Sequence, residues 1–143
     1  MTEIAFHFNA PDRLNHVCRL LRKAVGSGAK VVVTGPADAL SQLDSALWML
    51  SPTDFIAHCA LDADRTVVSK SPVVLAQSAR ISPFFDILVN LGESVPDGFE
   101  QFQRLIEVVT PDAQDRQLAR GRWKYYAEAG FHLIRHDLQK APA

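Results

Sequence analysis

Apolar and polar positions alternate through Glu3-Ile4-Ala5-Phe6-His7-Phe8, and Asn9-Ala10-Pro11 closes the run. A period of two is that of a strand with distinct faces, so the first element is a strand. Pro11-Asp12 then opens a period near 3.6. Leu14, Val17, Cys18, Leu21 and Val25 fall on one side of a helix that Gly26 and Gly28 stop. Lys30-Val31-Val32-Val33-Thr34 is apolar on both faces, the pattern of a strand buried inside a parallel sheet. Asp38 to Met49 returns to helical spacing, with Leu40, Leu43, Ala46 and Leu47 on one face and Ser51-Pro52 as the stop.

Phe55-Ile56-Ala57 predicts a short strand, Asp62 to Arg65 a loop, and Val73-Val74-Leu75 and Phe85 to Leu91 two further strands. Pro96-Asp97-Gly98 is a turn, Phe99 to Gln103 a short helix and Arg104 to Val109 a strand. The spacing predicts a last helix over Asp112 to Ala129, capped by Gly130, after which Phe131 to Ile134 docks on the sheet or extends it. Strands alternating with helices predict an α/β fold over residues 1–143 as a single domain. Its twisted sheet is largely parallel (mixed), with helices on both faces.

The chain's 143 residues suit one domain, and 48% apolar and 22% charged residues suit a globular one. A formal net charge of −1 lacks the basic excess of a general nucleic-acid binder, so any cationic site must be local. The two cysteines, Cys18 and Cys59, form neither a CxxC motif nor a disulfide framework. They read as reduced, mostly buried thiols of a cytoplasmic protein. No apolar run is long enough to span a bilayer, and MTEIAFHFNAPDR lacks the regions of a secretory signal, so no membrane partner is expected.

The sheet is Rossmann-like, which invites a nucleotide at the strand ends, yet no nucleotide-binding loop is present. Asn9-Ala10-Pro11-Asp12 has no glycine, and the lone glycine of Thr34-Gly35-Pro36-Ala37 makes neither GxxxxGK[ST] nor GxGxxG. Of the five histidines only His132 and His136 are four apart, with no acid between them, so no metal site is assigned. There is no GxSxG elbow and no signalled carboxylate pair. No catalytic residue and no cofactor are therefore expected, and the chain is read as no enzyme.

One segment stands out, RQLARGRWKYYAEAGF from residue 116. At about 100° per residue, Arg116, Arg120, Trp123, Lys124 and Ala127 form one stripe. Leu118, Tyr125, Tyr126 and Ala129 form the expected core face, where Arg122 sits awkwardly and must reach an acid or a rim. The stripe fits a ligand that pairs an anion with a bulky apolar group, above all an acidic peptide with a hydrophobic end. An ordinary solvated face, or a single-stranded nucleic-acid surface, is the alternative. A second cluster, Leu47 to Phe55, puts Trp48, Met49 and Phe55 at a helix end, either as core or as an interface with a partner protein.

LDSALWMLSPTDFIAH and DILVNLGE, followed by RQLARGRWKYYAEAGF, resemble the chi subunit of bacterial DNA polymerase III holoenzyme in order and spacing, from the first strand to residue 133. The resemblance implies a non-catalytic accessory subunit of the clamp-loader complex, cytoplasmic and associated with the replisome at the nucleoid. It implies two partners: the psi subunit, and the acidic, phenylalanine-ended C-terminal tail of single-stranded-DNA-binding protein. DNA would be reached only through that protein. Position by position, Trp48 and Phe55 match psi-facing aromatics, with Met49 beside them. Arg116, Arg120, Trp123, Lys124 and Tyr126 match the tail-binding helix, and Val109 matches an apolar wall of its pocket. Trp123 stands where the family pattern leads to tyrosine, and Arg116 where it leads to lysine. A direct single-stranded nucleic-acid binder and a nucleotide-binding enzyme on the same sheet are the rival readings.

Overall fold

The alternating segment at the N-terminus forms β1 (Glu3–Phe8), and the valine run forms β2 (Val31–Thr34). The computed structural model describes residues 1–49, 56–80 and 82–140. Between the two strands lies α1 (Arg13–Gly26), whose N-cap Asp12 accepts a hydrogen bond from the Asn15 backbone N–H at 3.1 Å. After β2 comes α2 (Ala37–Trp48). Then follow β3 (His58–Ala60), α3 (Arg65–Lys70), β4 (Val73–Ala76), β5 (Ile87–Asn90), a 3-10 turn (Phe99–Gln101) and β6 (Arg104–Val108). The chain continues through α4 (Ala113–Glu128) into β7 (His132–Asp137).

One expectation is corrected and one helix is added. The strand predicted at 55–57 lies later, at His58–Ala60. Phe55 falls outside the described residues, and Ile56 and Ala57 are not in a strand. His58, Cys59 and Ala60 pair with Val73, Val74 and Leu75, so the register with β4 chooses the strand rather than local apolarity. The loop expected at Asp62 to Arg65 is found as far as Asp64, which accepts from the Thr66 N–H at 2.9 Å and caps α3, a helix the sequence reading did not give.

The seven strands order as β3-β4-β2-β5-β6-β1-β7. Every pairing between described strands is parallel, so the expected antiparallel admixture does not occur. The crossovers from β1 to β2 and from β2 to β3 run toward one edge, and that from β6 to β7 runs toward the other. Right-handed crossovers in opposite directions put helices on opposite faces. On one face Leu21 of α1 and Leu43 and Leu47 of α2 bury against Val31, Val33 and Val89. On the other, Ala119 and Tyr126 of α4 bury against Ile4, Phe6, Val32 and Leu105 together with Phe99 and Phe102. The strict alternation of Val31, Val32 and Val33 between the two cores is the period-two rule at work. Each fully buried side chain of this size contributes about 1.5–3 kcal/mol.

Candidate functional site

The last helix is set in place from both ends. Asp112 caps it by accepting from the Asp115 N–H at 3.1 Å. Asp115 in turn accepts from the Thr110 N–H at 2.8 Å and from its hydroxyl at 2.9 Å, and it forms an ion pair with Arg13 at the start of α1. Burial raises the Asp115 carboxyl, but the Thr110 N–H and Arg13 outweigh that and hold it below its ordinary value. At the other end Gly130, with φ 88°, takes the left-handed turn expected of a cap and releases the chain into β7. That strand runs parallel to β1 and becomes the sheet edge.

The face α4 turns inward is not the expected one. Tyr125 is 50% exposed and Ala129 is exposed, while the buried line is Ala119, Arg122 and Tyr126. The cause is Glu107 on β6, itself wholly buried. Arg122 Nε lies 3.1 Å from Glu107 Oε1, and Arg122 also donates to the Glu93 carbonyl at 2.8 Å. The Tyr126 hydroxyl donates to Glu107 Oε2 at 2.7 Å, and Asn90 Nδ2 donates to both carboxylate oxygens, at 3.1 and 3.2 Å. Burial pushes the Glu107 carboxyl up, opposed by Arg122 and by the hydrogen bonds from Tyr126 and Asn90. Burial and the Glu107 charge push the Tyr126 hydroxyl up. Arg122 therefore meets its acid in the core, where the ion pair and the hydrogen bonds from Tyr126 and Asn90 and to the Glu93 carbonyl offset the cost of burial, while Arg122 Nε itself makes no hydrogen bond among the described residues.

With Tyr126 and Arg122 turned in, Trp123 is left half-buried beside a groove of about 320 Å³ between α4 and the ends of β1 and β7. Its apolar lining is Phe6, Phe8, Val109 and Ala119, with Trp123 meeting Phe6 edge-on at 5.1 Å between ring centroids. Its polar lining is cationic: Arg116 and Arg120 from α4, and Arg135 from β7. No carboxylate lines it, and among the described residues none of these three arginines is paired with one.

The structure thus brings Val109, Arg116, Arg120 and Trp123 together. It leaves Lys124 exposed outside the groove lining. Tyr126, expected on the binding surface, lies wholly buried beneath it, its ring centroid 6.0 Å from that of Phe6 and its hydroxyl spent on Glu107. Sequence reasoning missed Arg135 and the phenylalanine wall. The signal lay in β7, where Leu133 and Arg135 share a face once the strand is placed parallel to β1, with Arg135 opposite Phe6.

The second cluster is at the C-terminal end of α2, on the opposite face of the sheet. Trp48 is 62% and Met49 85% exposed, while Leu40, Leu43 and Leu47 of the same helix are buried. The Trp48 ring lies 5.1 Å from that of His58, whose Nε2 is 3.1 Å from Asp44. Phe55 lies outside the described residues.

At the carboxyl ends of β2 and β5, where the connections part toward opposite faces, lies a crevice of about 740 Å³, the usual place for a nucleotide in such sheets. It is lined by Asp38, Glu93 and Asp97 with Arg13 as its one cation among the described residues, which repels phosphate. Gly35 abuts Leu91, where an added Cβ would meet the Leu91 Cβ at 3.0 Å, so the glycine serves a packing turn. Among the described residues no three His, Cys, Asp or Glu side chains are arranged to hold a metal, and no helix is long and apolar enough to cross a membrane.

Fold and groove together define a class: an open parallel α/β domain that presents a cationic, aromatic-walled groove beside its last helix. The family model of the DNA polymerase III chi subunit, HolC, matches residues 1–134. DNA polymerase III subunit chi of Pseudomonas aeruginosa is 32% identical over 98% of this chain and 99% of its own length. That of Escherichia coli is 32% identical over 82% of this chain and 80% of its own, and that of Haemophilus influenzae 27% identical over 81% of each. The chain belongs to the DNA polymerase III chi subunit family.

Proposed function

We propose that this chain is a non-catalytic accessory subunit of DNA polymerase III that acts as an adaptor in the cytoplasm, at the replisome. Its α4 groove takes the acidic, apolar-ended C-terminal tail of single-stranded-DNA-binding protein, and its α2 end, with Trp48 and Met49 and with Phe55 beyond them in sequence, docks the psi subunit. DNA is engaged through the tail-bearing protein. The observation that carries this reading is the groove itself, in which Arg116, Arg120 and Arg135 stand among aromatic walls with no carboxylate partner among the described residues. Free guanidinium groups hold carboxylates, and the apolar lining of Val109, Ala119 and Trp123 accepts a terminal aromatic side chain. Lys124 adds long-range attraction from the exposed border, and Tyr126 supports the wall from below. The two surfaces lie on opposite faces of one sheet, so both partners fit at once.

The test is a titration with the tail peptide and with the same peptide lacking its last phenylalanine. Exposed ion pairs are individually weak, so the full peptide binds with roughly micromolar affinity that falls with added salt. The truncated peptide loses most of that binding. Equal affinity for the two peptides refutes the reading.

A further inference from the structure

Asp44 and Trp48 are one helical turn apart on the same side of α2, and His58 of β3 lies against both. The His58 side chain is wholly buried, whereas the Trp48 indole that it meets, at 5.1 Å between ring centroids, is mostly exposed. Nδ1 of the ring lies 2.7 Å from the Ile56 carbonyl oxygen, and Nε2 lies 3.1 Å from Asp44 Oδ1. Both of these partners are acceptors, so the arrangement is complete only when both ring nitrogens carry protons. Loss of one proton sets a lone pair against the Asp44 carboxylate or against the Ile56 carbonyl. The doubly protonated ring is also a cation within cation–π distance of the indole. Of the elements packed around the ring, β4 presents only Val73 to Ala76, none of them titratable. The helix α3, packed against β3, carries Arg65 and Lys70, both exposed and neither paired with Asp44 among the described residues. Asp62, just after β3, lines the same hollow as Asp44, and Cys59 points to the other face of the strand.

We infer that His58 is a positioning residue of the docking surface at the end of α2: clamped between Asp44 and Ile56, its imidazolium sets the Trp48 indole in an outward pose, and docking weakens when the ring loses a proton. This rests on the reading of the α2 end as the surface for the psi subunit, and adds what orients its tryptophan and makes docking depend on pH. An exposed indole without a platform samples several rotamers, and fixing one of them on docking costs free energy. A buried ring tied at both nitrogens removes part of that cost before the partner arrives. Imidazole is the side chain whose charge changes near neutral pH, so this platform responds where carboxylates and ammonium groups do not.

The experiment titrates the full chain with the psi subunit by calorimetry at about pH 6 and about pH 8, on either side of the ordinary imidazole value of about 6.5. The unaltered protein binds roughly threefold more tightly at the lower pH. His58→Gln binds alike at both, with an affinity near that of the unaltered protein at the higher pH. Asp44→Asn, whose amide donates to a neutral ring or accepts from a charged one, also binds alike at both. Unchanged binding of the tail peptide shows that each variant is folded. If His58→Gln keeps the pH difference of the unaltered protein, or if the unaltered protein has none, the role of His58 is overturned while the docking reading stands. Should His58→Gln fail to fold, the Asp44→Asn profile decides, and an undiminished pH difference there overturns the role. If the psi subunit does not bind the unaltered protein, or binds Trp48→Ala as tightly, both fall.

Discussion

The Arg122 guanidinium lies 3.1 Å from the Glu107 carboxylate, and neither side chain reaches solvent appreciably. This pair joins α4 to the middle of the sheet, and through the Glu93 carbonyl it also holds the loop after β5. Removing one partner of a buried pair strands the other charge, at a cost of about 3–5 kcal/mol. Arg122→Met should lose stability of that order in urea denaturation followed by circular dichroism. A loss below about 1 kcal/mol would mean that water reaches Glu107.

His7 brings a pH dependence. Its Nδ1 lies 3.0 Å from His16 Nε2, and its ring centroid is 5.0 Å from that of His136. Burial, then the positive charge of His16, His136, Arg104 and Lys23, lowers its pKa from 6.5 to about 4. His16 is lowered too, by burial and Arg19. The unfolded chain therefore binds protons that the folded one refuses between pH 6.5 and about 4, so stability falls as pH drops through that window. Solvent screening at a partly exposed site keeps the His7 share on the order of 1 kcal/mol. His7→Gln should shrink the loss of melting temperature between pH 7 and pH 5, and an unchanged loss would place the effect elsewhere.

Asp115 acts with the same sign in a more acidic window. Its carboxyl is held below its ordinary value of 3.8, so its contribution is present above that pH and is lost as pH falls through the folded-state value. Asp115→Asn removes the ion pair to Arg13 and weakens the acceptor for Thr110. A loss of about 1–3 kcal/mol is expected at pH 7, read from thermal unfolding, and it shrinks as pH falls below 3.8.

The two surfaces should fail independently. Arg120→Ala is expected to weaken tail-peptide binding about tenfold while leaving association with the psi subunit intact, and Trp48→Ala to do the reverse. Isothermal titration against each partner reads this directly. Joint loss in a folded variant would show that the surfaces are not separate.

Much of the architecture was legible locally. The alternation in β1, the all-apolar β2 and the leucine spacing of α1 and α2 carry their own periods, and Asp12, Asp112 and Gly130 mark helix ends by chemistry that acts within a turn. Arg116, Arg120 and Trp123 could be grouped because helical spacing alone sets them on one side. Other features could not be read this way, because their causes lie far along the chain. β3 is a strand at His58–Ala60 because β4 lies beside it. Arg122 turns inward and Tyr125 outward because Glu107, buried on β6, waits beneath the helix. Arg135 enters the groove because β7 pairs in parallel with β1, which sets it opposite Phe6 and under Trp123. The amino-acid order by itself determined most of the elements, β3 and α3 excepted, and the cationic stripe, since those depend on neighbours within a few residues. Only the tertiary structure decided which way the last helix faces and what closes its groove, since a buried charge goes where its partner is and a strand's faces are assigned by the strand it joins.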